Sequence, residues 1–92
     1  AENEEWLVAR FTPPAAGRDL VGAARAFQRA TGKADRGDVR AAVRELEQVV
    51  RSVPEVAKYH RALGQAYLVL GRLDDAEDSF LRALRLDPRS SD

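Results

Sequence analysis

The chain repeats itself at an offset of 34 residues, and that repetition limits its fold more than any single residue does. Gly37 falls on Gly71, Ala42 on Ala76, Arg51 on Arg85 and Pro54 on Pro88. Val39, Leu46, Val49 and Val50 likewise meet Leu73, Phe80, Ala83 and Leu84. Self-similarity at this period marks a supersecondary unit that cannot hide its apolar side alone and must stack on a neighbour.

Leu63 to Pro88 shows what one unit contains. Leu63, Tyr67 and Leu70 recur at helical spacing and make an apolar stripe. Gly64, on the same face, removes a side chain so that another backbone can come close. Gly71 is predicted to end the helix in a conformation other residues avoid. A second helix is expected to open at Asp74 as cap, with Glu77 three residues on in the capping-box position. Ala76, Phe80, Ala83 and Leu84 form its inner stripe, and Pro88 forbids further helix. The unit is a pair of antiparallel helices joined by a tight turn.

With Leu63-Gly64, Tyr67, Gly71, Ala76, Phe80, Ala83 and Pro88 in this order, the stretch resembles a tetratricopeptide (TPR) repeat. The resemblance implies an all-α fold of antiparallel helical hairpins stacked as a short right-handed α-solenoid. Its repeats would cover about 23–56 and 57–90, within a domain of residues 19–90. One departure is that His60, with Tyr59 beside it, stands where the family expects a large aromatic. The family holds peptides or partner proteins in a concave face lined mainly by the first helix of each hairpin. By resemblance that face includes Lys58, Arg61, Ala62, Gln65, Leu68 and Val69, with Gln28, Thr31 and Asp35 from the first repeat. Lys58 and Arg61 suit an acidic ligand or form a solvated face, while Leu68 and Val69 offer an apolar shelf. The implied function is that of a protein-interaction scaffold or adaptor, not an enzyme. The alternative is an accessory docking domain of a larger enzyme or of a secretion or assembly complex.

The first repeat is less regular. Asp19 is a plausible cap for a helix to Ala34, striped by Leu20, Ala23 or Ala24, Phe27, Ala30 and Ala34. Val39, Ala42, Val43, Leu46, Val49 and Val50 stripe a helix over 39–52, ended by Pro54. Ser52 and Glu55 have capping-box spacing for the helix that follows. A strict 34-residue shift sets Arg29 opposite Leu63 and Lys33 opposite Tyr67, which would bury two unpaired charges. A register moved by one residue puts Phe27, Ala30, Thr31 and Ala34 inward and makes the first turn one residue shorter.

Residues 1–18 read as an N-terminal segment or linker, with Thr12-Pro13-Pro14 and Gly17 favouring extended or turning backbone. Trp6, Leu7 and Phe11 either pack on the chain's own helices or neighbouring sequence, or act as a docking peptide for a groove in this chain or in a second copy. At the other end, Leu81 and Leu86 are expected to be partly exposed, whereas Phe80 and Leu84 face the partner helix. Two repeats with such an apolar edge point to a homo-oligomer or to adjacent repeats of a longer chain, with Leu81, Leu86, Trp6 and Phe11 as candidate contacts.

Chemistry is sparsely encoded. The chain has 15 basic and 15 acidic residues, a formal charge of zero, so its charge gives no case for nucleic acid or an anionic membrane. With no Cys and His60 as the only histidine, no thiolate or His-rich metal site can be built, and no cofactor is expected. The acids Asp74, Asp75, Glu77 and Asp78 lack a calcium-loop pattern and suit a helix start. Ser79 has no suggested His and Asp and reads as a surface hydroxyl. His60 reads as an aromatic core or boundary residue. No apolar run approaches the length of a membrane span, and the compartment stays open with the cytoplasm slightly ahead. Ala1 reads as a processing boundary rather than a native start.

Overall fold

The computed structural model describes residues 19–91, and the readings on Trp6, Phe11 and the rest of 1–18 lie outside them. Four helices follow one another: α1 (Leu20–Asp35), α2 (Val39–Ser52), α3 (Ala57–Val69) and α4 (Leu73–Leu86), then a 3-10 turn at Pro88–Ser91. α1 packs on α2 and α3 on α4 as antiparallel hairpins, and α3 joins the hairpins by lying against α2. This is the all-α hairpin stack expected of the repeats.

Each hairpin turns at a glycine with positive φ, Gly37 at +93° and Gly71 at +78°. The N–H of Gly37 donates to Ala34 O and that of Asp38 to Lys33 O, at 2.9 and 2.8 Å. Gly71 and Arg72 donate to Leu68 O and Tyr67 O in the same way, at 3.0 and 2.9 Å. The two turns are therefore equal in length, and the shortened first turn is not found. Lys33 does occupy the place of Tyr67, and Arg29 that of Leu63. Their charges are met by Glu45 of α2, whose Oε1 lies 3.5 Å from Arg29 Nε and 3.5 Å from Lys33 Nζ. Long stems let both cations lean out of the contact while Ala30 is fully buried between them and Phe27 and Ala34 pack beside it.

Only α1 is capped by a side chain, Asp19 Oδ1 accepting from Gly22 N–H at 2.9 Å. α4 begins one residue before Asp74, with Arg72 at its cap position and Asp74 and Asp75 already in the first turn. Asp74 and Glu77 thus form no capping box, and the acids favour the helix through its dipole instead. α3 is preceded by Val56 in extended conformation as its cap residue, and Ser52 closes α2 instead.

The core runs across both hairpins. Ala30, Ala42, Val43, Leu46, Leu63, Ala66, Tyr67 and Ala76 form one cluster, and Ala23, Val49, Val53 and Tyr59 a second, with Phe27 in contact with both. The Phe27 and Tyr59 rings lie 4.9 Å apart at their centroids, a tilted pair. Gly64 serves a different neighbour from the one expected, because the phenyl ring of Phe80, not a backbone, lies over it. Three other expectations are corrected. Ser79 is buried rather than on the surface, whereas Leu84 and Leu20 are exposed, since no helix among the described residues covers either.

Candidate binding face

α1, α2 and α3 enclose a groove of about 520 Å³. Its floor is apolar, made by Leu46 of α2, Ala66 of α3 and, at one end, Ala34 and Val39 on either side of the Gly37 turn. Thr31 and Asp35 of α1 form one wall, and Ala62, Gln65 and Val69 of α3 form the other. Val69 is 70% exposed beside this buried floor, so an apolar side chain stands open at the rim. Asp35 is the one charged residue among those lining it.

The residues expected on the concave face are divided by the structure. Ala62, Gln65 and Val69 converge with Thr31 and Asp35 on the groove. Lys58 lies close by, but its Nζ sits 5.4 Å from the centroid of the Phe27 ring, a cation–π contact that ties it to α1. Arg61 and Leu68 are exposed and outside the groove lining. At about 100° per residue both stand between Gly64, which faces Phe80 of α4, and Gln65, which lines the groove. Lys58 and Arg61, one helical turn apart on the exposed surface of α3, both lie outside the groove lining. Gln28 is exposed and outside the lining. Val39, Ala34 and Leu46 line the groove beyond the residues expected there. Val39 and Leu46 belong to the α2 stripe, but a stripe does not distinguish a core position from a groove floor.

Leu81 and Leu86, expected to form one edge, point in different directions. Five residues along a helix turn the side chain by about 140°. Leu86 lines a depression with Pro54, His60, Asp78, Arg82 and Arg85, and Leu81 is not among its lining residues.

A second trough lies between α2 and α4, floored by α3. Here Tyr67 donates its hydroxyl to Glu47 Oε2 at 2.6 Å, and the Arg72 guanidinium lies 4.6 Å from its ring centroid. Burial, followed by the hydrogen bond and charge of Glu47, pushes the Tyr67 phenol from 10.0 up to about 12. His60 is buried and its Nε2–H donates to Pro54 O at 2.8 Å, which ties α3 to the turn before it. Buried Ser79 lines the same trough, and the hydrogen bonds of Tyr67 and His60 go to Glu47 and Pro54. Among the described residues no three His, Cys, Asp or Glu side chains gather as metal ligands, and no helix is long and apolar enough to cross a membrane.

Comparison with known proteins agrees with this architecture. The profile of the tetratricopeptide repeat matches residues 27–91. No curated protein matches the chain significantly. Such repeats generally mediate protein–protein interaction and typically carry no catalytic chemistry. With the profile covering most of its length and paired helices at the expected period, the chain belongs to the tetratricopeptide-repeat family.

Proposed function

We propose that this chain is a protein-interaction module that seats a partner peptide or helix in the groove between α1 and α3. The observation that carries the reading is the open, mostly apolar groove of about 520 Å³, in which residues from three helices meet around exposed Val69. A groove of this kind suits an apolar side chain entering between Ala62 and Ala34, with Gln65 and Thr31 offering hydrogen bonds to the partner's backbone. Asp35 at the rim disfavours an acidic residue at that end.

The test is affinity capture with the wild-type chain and with two variants, Val69→Asp and Ala62→Trp. The first places a charge on the shelf and the second fills the groove. Both positions are at least partly open to solvent, so circular dichroism should show an unchanged helix content. Loss of the same captured protein in both variants supports the groove. Capture equal to wild type in both removes it as the binding surface.

A further inference from the structure

The two ends of the stack differ chemically. Buried Tyr59, Leu63 and Tyr67 of α3 correspond, 34 residues earlier, to Arg25, Arg29 and Lys33 of α1. At these three positions α1 is cationic where α3 is buried. At the other end, Ala34, Val39 and Val50, packed into the core that α2 shares with α3, correspond to Leu68, Leu73 and Leu84. These three are 48%, 65% and 39% exposed. The surface that a following helix covers in the first hairpin is thus present in the second and covered by none of the described residues.

What covers it is decided by the residue at its centre. Val43, buried between α2 and α3, corresponds to Glu77. An apolar helix laid on α4 as α3 lies on α2 would trap the Glu77 carboxylate without a counter-charge. The occupant must bring a cation to that point. α4 carries such a cation itself: Glu77 and Arg85 stand four residues before and four after Leu81 along one side of the helix. Both are exposed, and neither has an ion-pair partner among the described residues.

We infer that a second copy of this chain docks on this face, with the two α4 helices antiparallel about a two-fold axis at Leu81. In that arrangement Glu77 of each copy stands level with Arg85 of the other, about 6 Å along the helix from the axis. The charge that would oppose burial becomes one half of two symmetric pairs. Leu81 meets its own equivalent, and Leu73, Leu84 and Leu68 lose their exposure beside it. The interface lies on the α4 side of α3, so the groove around Val69 stays open in the dimer. This inference stands whether or not that groove binds a partner.

Sedimentation velocity of the full chain between roughly 1 μM and 1 mM should show a monomer–dimer equilibrium. Leu81→Asp should give a monomer with unchanged helix content. Glu77→Arg and Arg85→Glu should each weaken the dimer about tenfold or more, because each replaces two attractions by two repulsions. The two reversals combined in one chain should restore dimerisation, and an equimolar mixture of the two single variants should form a heterodimer. A chain that stays monomeric over the whole range overturns the inference. So does a dimer indifferent to Leu81→Asp, or charge reversals without rescue. A dimer abolished by deleting residues 1–12 but retained in Leu81→Asp places the contact at Trp6 and Phe11 instead and also overturns it.

Discussion

The phenyl ring of Phe80 lies over Gly64 so closely that a Cβ there would stand 2.9 Å from its Cε1. Gly64 therefore fixes how near α4 comes to α3. Gly64→Ala is expected to destabilise the chain by about 1–2 kcal/mol, the overpacking cost less the gain in helix propensity. Gly32→Ala is the control, because its Cβ meets only Arg36 Nη1, at 3.7 Å. That substitution should stabilise by up to ~1 kcal/mol. Urea unfolding of both variants checks the pair, and a stabilising Gly64→Ala would refute the close approach.

The turn glycines make a second pair of sites. A Cβ at Gly37 or Gly71 would meet nothing within 4 Å, so only their positive φ resists substitution. Ala at either position should cost about 1–2 kcal/mol. Asn, which tolerates that conformation better, should recover part of the loss, a pattern that steric crowding would not produce. Thermal melts of the four variants provide the comparison.

Glu45 holds together the least regular part of the fold. With Arg29 and Lys33 both 3.5 Å from its Oε1, Glu45→Ala leaves two cations beside the α1–α2 contact. Because Arg29 is well exposed, screening limits the loss to roughly 0.5–1 kcal/mol. The loss should shrink as salt rises, by the same screening. A denaturation series in increasing sodium chloride tests it, and a salt-independent loss would mean that Glu45 acts through packing.

The readability of this chain follows the physics of each feature. The α2 stripe Ala42, Val43, Leu46 and Val49 is legible because a buried helix face repeats every three to four residues whatever covers it. The turns at Gly37 and Gly71 are legible because positive φ selects glycine. Periodicity gives the direction of a side chain and not the identity of its neighbour. Arg61 and Leu68 therefore group with Val69 in the sequence, although only Val69 lines the groove. Leu81 and Leu86 suggest one edge because both are leucines near the chain's end, against the angle that five residues impose. The first turn misleads for a different reason. Lys33 looks inadmissible in the place of Tyr67 until Glu45, on the next helix, supplies its partner.

The last expectation concerns Tyr67, whose phenol is raised to about 12 by burial and by Glu47. A phenol whose folded pKa exceeds its unfolded value favours the fold while it keeps its proton. Its contribution is therefore complete below the unfolded value of 10.0 and is lost as pH rises from there towards about 12. Tyr67→Phe should remove this alkaline dependence. At neutral pH it should cost about 1 kcal/mol for the hydrogen bond to Glu47. Glu47→Gln keeps an acceptor but removes the charge, so it should bring the phenol part of the way back while leaving most of the neutral-pH stability. Tyrosinate absorbance during alkaline titration separates these outcomes, with Tyr59→Phe used to assign the Tyr67 transition. If Tyr67 titrates near 10.0 in the folded chain, the hydroxyl is not held by Glu47 and the trough between α2 and α4 is wetter than the 2.6 Å contact implies.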